Sequence, residues 1–327
     1  MMRSTIKTKV IGVNIDVAVT TIAVVDQRGN ILAEDRMATK DYPDVNRFME
    51  TLSERIINLA EANGGYEEIR SVGIGAPSGN YQTASIENAV NLPWKGVIPM
   101  AAMLRDRIGL AVALGNDVHT VAMGESVYGA GHGMTNFVVV MLSNYGVGSC
   151  IFSNGQPHLG VNGSAGELGH CCVVDGGRLC NCGRRGCLEE YASYRGIVKT
   201  AQELMNESQQ PSLMRDLEKL TPEAIGLCAD KGDEMAKEVW LRTGHMLGMA
   251  LANTATILNP EAVILTGQLL NVLKWMVEPT QETFNKYVFH NIRDKVKLVV
   301  SDLLSDERSV LGAAALAWTV KEYSLFK

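Results

Sequence analysis

Residues 163–193 read GSAGELGHCCVVDGGRLCNCGRRGCLEEYAS. The spacing His170-x9-Cys180-x-Cys182-x4-Cys187 brings one imidazole and three thiols into a short, glycine-rich segment. Zn²⁺ prefers four tetrahedral nitrogen and sulfur ligands, and a Cys3His set is a common closed structural site. The glycines allow the tight turns that fold such ligands around one ion. The alternative is four unrelated buried residues, but buried cysteines seldom cluster in this way. Two carboxylates, Glu167 and Glu189, flank the set. Cys171 and Cys172 do not fit the spacing and read as strand residues with small apolar side chains.

Upstream, residues 9–26 (KVIGVNIDVAVTTIAVVD) read as two β-branched strands around a turn, and a third strand follows the turn signal at 26–30. Apolar residues at helical spacing mark a helix over 44–64, and a strand at 70–76 ends in Pro77-Ser78-Gly79-Asn80. A helix covers 98–108. The segment from Leu110 to Gly131 then runs strand, turn, helix, with Asn116-Asp117 in the turn. A carboxylate there can cap a helix starting at Val118 or face a ligand at the carboxyl end of the strand. Residues 137–152 form two strands around a turn. Downstream, polar helices fill 194–245, and a long buried helix covers 236–258, where Gly244 and Gly248 permit close packing. Strands follow at 260–268 and 297–303, and a terminal helix at 309–320 packs back on the first domain. His119 and His245 read as structural.

The chain has 327 residues, enough for two domains, with 46% hydrophobic and 20% charged residues, as in an ordinary globular protein. A net charge of −6 argues against a nucleic-acid surface. No N-terminal apolar run suggests a signal peptide or membrane span, and seven cysteines with three candidate ligands fit a reducing cytoplasm.

The pattern GxAGELGH…CxCGxxGCLExxAS resembles the ROK family of sugar kinases and sugar-responsive transcriptional repressors. The resemblance implies an actin-like (ribonuclease H-like) two-domain α/β sugar kinase fold. It places an N-terminal domain over 1–117 with a returning helix at 305–327, and a C-terminal domain over 118–304 that carries the zinc loop. It implies structural zinc on His170, Cys180, Cys182 and Cys187. It also implies that Glu167, His170 and Glu189 contact a sugar, bound in the cleft between domains. Asn116 joins them, and Asp117 is the catalytic base. Gly75, near the 77–80 turn, and Asn91, in the Asn-Leu-Pro segment, are further sugar-facing positions, although Asn91 reads first as a loop residue. A homo-oligomer is also implied. Only about ten residues precede the first strand, so the repressors' winged helix is not expected, nor is direct DNA binding.

The sequence departs from the kinases at the nucleotide loops. The first phosphate turn reads Asn14-Ile15-Asp16-Val17-Ala18, without its glycines. The second reads Ser143-Asn144-Tyr145-Gly146-Val147-Gly148-Ser149, and of the adenosine-side glycines only Gly267 remains. Asp16, Ser143, Asn144, Gly146 and Gly267 are the remaining candidate nucleotide contacts. Three functions compete: an ATP-dependent hexose or N-acetylhexosamine kinase using Mg-ATP, a sugar sensor that has lost kinase activity, and a scaffold. The polar cluster disfavours the scaffold, and the kinase is the leading reading.

Overall fold

A computed structural model describes residues 7–304 and 307–320. The chain divides into two compact units, the first formed by 1–133, 161–163 and 302–327 and the second by 134–160 and 164–301.

Unit one holds a five-stranded sheet. Strands β1 (Lys9–Ile15), β2 (Val19–Asp26) and β3 (Ile31–Ala38) form an antiparallel meander, and β4 (Ile69–Ala76) and β8 (Ala111–Asn116) add in parallel, giving the order β3-β2-β1-β4-β8. Apart from register shifts near the starts of β1 and β3, side chains alternate between the two faces. Ile11, Val13 and Ile15 join α1 (Val45–Ala62) and α2 (Met100–Ile108) in one core. Val10, Ala23 and Val25 meet α9 (Arg308–Thr319) on the other. A small sheet of β5 (Gly79–Asn80), β6 (Ser85–Glu87) and β7 (Val97–Ile98) was not foreseen from the sequence, because its strands are too short to show alternation.

Helix α9 lies on the sheet at backbone distance. A Cβ on Gly73 would stand 2.0 Å from the Ala313 carbonyl oxygen, and one on Gly12 would stand 2.3 Å from that of Val310. Ser71 donates a hydrogen bond from its Oγ to the Ala317 carbonyl at 2.8 Å. Helix α3 (Asp117–Tyr128) packs on α9 in the same manner, with a Cβ on Gly124 falling 3.0 Å from Gly312 Cα. This contact corrects the domain boundary expected after Asp117: α3 stays in unit one, which runs to Gly133. The returning helix is Arg308–Thr319, and positions 305, 306 and 321–327 of the expected span lie outside the described residues.

Unit two carries the sheet β11-β10-β9-β12-β13. Here β9 (Phe137–Leu142) pairs antiparallel with β10 (Val147–Ser153), which continues into β11 (Gln156–Pro157), and parallel with β12 (Ala262–Thr266), followed by β13 (Lys297–Val300). Its main core takes in α5 (Tyr194–Glu207), α6 (Pro222–Asp230), α7 (Glu234–Leu258) and α8 (Leu273–Tyr287). As expected from its small residues, α7 packs closely on a neighbour, with a Cβ on Gly248 falling 2.5 Å from the Thr280 carbonyl oxygen of α8. His245 lies at this seam, 3.4 Å from Thr283 Oγ1 and edge-on to Tyr287. Among the described residues no helix is long and apolar enough to cross a membrane.

The Gly73→Ala substitution should destabilise unit one by about 1–3 kcal/mol or more, because the added methyl meets backbone that cannot rotate away. Urea unfolding followed by far-UV circular dichroism checks this, and an unchanged midpoint would contradict the close packing.

Candidate active site and metal-ligand cluster

In unit one the parallel strands set several candidate residues along one edge. Asn14 pairs with Gly75, and Gly75 with Gly115, so β1, β4 and β8 end side by side. Open parallel sheets present ligand-facing groups at such carboxyl ends. Asn116 closes β8 and caps α3, its Oδ1 accepting the Val118 amide at 3.0 Å. Asp117 is the first helical residue, and its Oδ1 also accepts from Val118 N at 2.7 Å. The cap is therefore Asn116 rather than Asp117. Gly75 has a packing role of its own, since a Cβ there would fall 2.6 Å from Thr120 Oγ1 of α3. Asn91 is exposed in a loop that Lys95 Nζ gathers by bonding the carbonyls of Ala89, Val90 and Leu92. In the first turn Asp16 folds back on its neighbour, accepting the Val17 amide at 2.5 Å.

In unit two the ligating atoms of His170, Cys180, Cys182 and Cys187 all lie within 4.8 Å of one another. His170 Nδ1 is 3.8 Å from Cys180 Sγ, and the Cys182 and Cys187 sulfurs are 3.6 Å apart. A tetrahedral ion with bonds near 2.3 Å separates its sulfur ligands by roughly 3.8 Å, so the set fits zinc in size and in donor chemistry. Glycine makes the fold of the loop possible: Gly186 sits at φ +77°, where a Cβ would collide with the Val174 carbonyl oxygen at 1.8 Å. Hydrogen bonds from the Arg184 backbone and side chain lower the Cys182 thiol to about 6, whereas burial pushes Cys187 up to about 12. A cation among them would favour the thiolate at every sulfur.

Cys171 and Cys172, read as strand residues, lie outside the named strands and are exposed. Cys172 makes an isolated bridge with Cys187, and the Cys171 carbonyl accepts the Leu188 amide at 2.9 Å.

The sugar-side candidates of unit two hang on this loop. Glu167 is exposed at the start of a short turn, Leu168–His170, that lies against β10. A Cβ on Gly169 would stand 2.0 Å from the Val147 carbonyl oxygen. Buried Ser149 pins the turn, donating to the Gly166 carbonyl and accepting the Leu168 amide. Glu189 opens the short helix α4 (Glu189–Ala192), and its Oε2 accepts the Val147 amide at 3.3 Å. Arg195 lies 3.5 Å from Glu189 and 2.5 Å from buried Glu190.

Arg178 escaped sequence reading, because nothing in its spacing marks it. Its guanidinium bonds Glu203, Thr200 Oγ1 and the carbonyls of Glu190 and Gly196, and it stacks over Tyr191 at 4.5 Å. The Cys-His loop is thereby fastened to α4 and α5.

The second loop candidate, 143–149, is closed on itself. Ser143 Oγ accepts the amides of Tyr145 and Gly146 at 3.2 and 3.1 Å, and Gln268 Oε1 accepts that of Asn144 at 3.0 Å. Gly267 has φ +111° and lies against β9, where a Cβ would come 2.2 Å from the Leu142 carbonyl oxygen.

Residues 10–320 match the ROK family. A glucokinase of Halalkalibacterium halodurans is 35% identical over 260 residues, 78% of this chain and 77% of the relative. The DNA-binding transcriptional dual regulator NagC of Escherichia coli is 28% identical over 317 residues, 94% of this chain and 74% of the regulator. Among solved structures, a ROK family glucokinase from Streptomyces griseus in complex with glucose and AMPPNP aligns with a TM-score of 0.75 at 28% identity, over 95% of this chain and 100% of that one. The fold is the actin-like fold of the ROK sugar kinases. Agreement along nearly the whole chain, in sequence and in fold, makes this protein a member of the ROK family.

Proposed function

We propose that the protein is a sugar kinase that transfers the γ-phosphoryl group of ATP, with Mg²⁺, to a hydroxyl of a hexose or N-acetylhexosamine. The position of Asp117 at the carboxyl end of β8, beside the capping Asn116, supports this most directly. Asp117 accepts the proton as the sugar oxygen attacks phosphorus and ADP leaves. Asn116 has its Oδ1 engaged with Val118 N, which leaves its NH2 to donate to a neighbouring hydroxyl. Glu167 and Glu189 accept from sugar hydroxyls, Glu189 being held in place by the Val147 amide.

His170, Cys180, Cys182 and Cys187 are the residues that would hold zinc, which supplies folding free energy when bound. His170 turns Nδ1 toward the sulfurs; with Nδ1 on a metal, Nε2 would carry the proton and donate to the sugar. The similarity to a glucokinase, and to a glucokinase structure containing glucose and AMPPNP, favours this reading.

A second reading is a sugar sensor without transfer. It is favoured by the engaged amides of the 143–147 turn and by the likeness to a transcriptional regulator.

Asp117→Asn should lower turnover by about 10²–10⁴-fold, the usual contribution of a general base, with sugar affinity little changed. Phosphoryl transfer from several donors to the best-bound sugar tests this, and wild type no faster than Asp117→Asn with every donor would leave the sensor. Glu189→Ala should weaken sugar binding at least about tenfold, since a hydrogen bond to a charged group contributes roughly 1.5–3 kcal/mol. Calorimetry over a panel of hexoses and N-acetylhexosamines measures it, and no binding by wild type would remove the sugar site. Cys182→Ser should lose zinc, thermal stability and sugar affinity together. Elemental analysis of folded wild type finding well under one zinc per chain would contradict the metal assignment.

A further inference from the structure

Four successive backbone amides, those of residues 144–147, lie at the turn between β9 and β10. Such a row is a ready anion site. Here each amide meets a side-chain oxygen: Asn144 N meets Gln268 Oε1 at 3.0 Å, Tyr145 N and Gly146 N meet Ser143 Oγ at 3.2 and 3.1 Å, and Val147 N meets Glu189 Oε2 at 3.3 Å. The three acceptors differ in how easily they leave. Ser143 is local to the turn, and its hydroxyl also donates to the Gly146 carbonyl at 3.0 Å. Glu189 is only about one-eighth exposed and lies close to Arg195. Gln268 comes from a different segment, is exposed, and reaches the turn with a long, flexible side chain. Its approach depends on Gly267, whose missing Cβ lets the chain run against Leu142 at the base of the turn.

We propose that Gln268 determines the affinity for the phosphoryl donor: its amide oxygen occupies the Asn144 N–H that a donor phosphate oxygen must take. This rests on the kinase reading for the identity of the donor, but not for the contact itself. A phosphate oxygen carries charge and is a stronger acceptor than a neutral amide, so a donor displaces Gln268 at sufficient concentration. The competition appears as weakened donor binding. Sugar contacts on Glu167 and His170 do not involve Gln268, so sugar affinity is independent of it.

The test is calorimetry of the full chain with AMPPNP and Mg²⁺, with tripolyphosphate and Mg²⁺, and with adenosine, for wild type, Gln268→Ala and Gln268→Glu. Gln268→Ala should tighten AMPPNP and tripolyphosphate by about three- to tenfold, the equivalent of one neutral hydrogen bond no longer in competition. Gln268→Glu should bind both more weakly than Gln268→Ala, through like charge. Adenosine, which has no phosphate, should bind the three proteins equally. Unchanged or weaker AMPPNP binding in Gln268→Ala overturns the proposal, as does an equal gain for adenosine or an absence of binding to all three proteins. Tightening by Gln268→Ala without phosphoryl transfer in any protein would leave the role of Gln268 standing and remove the kinase reading alone.

Discussion

The structure depends on backbone meeting backbone where a side chain is missing. In unit one, the carbonyls of Val310 and Ala313 stand where the β-carbons of residues 12 and 73 would be. Protein interiors are packed as densely as organic crystals, so such a contact tolerates no added methyl. It also leaves carbonyls without water, and Ser71 supplies the hydrogen bond that the Ala317 carbonyl accepts there. Unit two repeats the device between α7 and α8 through Gly244 and Gly248, and again where Gly169 lets the Glu167–His170 turn lie flat on Val147. The same absence of Cβ atoms thus sets helices on strands and functional side chains on the sheet.

Polar groups near the candidate site are fixed in layers. Arg178 uses its planar fork to gather Glu203, Thr200 and two carbonyls, a geometry that lysine cannot reproduce. The helix α4 that it holds carries Glu189, and the turn pinned by Ser149 carries Glu167. Each carboxylate is therefore oriented by a neighbour that itself has its partners. Precise placement of binding groups generally needs such support.

Much of this was legible in the sequence. The β-branched run at 9–26 and the Cys-x-Cys-x4-Cys spacing announce the meander and the metal cluster, because both are local patterns. The small residues of α7 announce its close contact, although not its partner. Helix α8 passed unread, and Pro279 within it breaks the usual expectation for a helix interior. The domain boundary fell sixteen residues from its expected place, because α3 is held against Gly312 of α9 far along the chain, and no window contains both. The roles of Arg178, Ser149 and Gln268 depend on partners 12 to 124 residues away. Cys171 and Cys172 show the converse: read as strand residues, they sit in an irregular, exposed segment with one isolated bridge to Cys187.

The discontinuity of unit one has a consequence for how the protein is made. Strands β1, β2 and β4 are synthesised before unit two, whereas α9, which covers one face of their sheet, follows it in the chain. Val10, Ala23 and Val25 then wait for their cover while the whole of unit two is translated, at roughly 5–20 residues per second. The Cys-His loop is in the opposite position: its four candidate ligands emerge within one short segment, and the loop closure they need is small. Order of emergence therefore runs against order of completion. The unit begun first is completed only after the second has been made, and one face of its sheet stays uncovered in the interval.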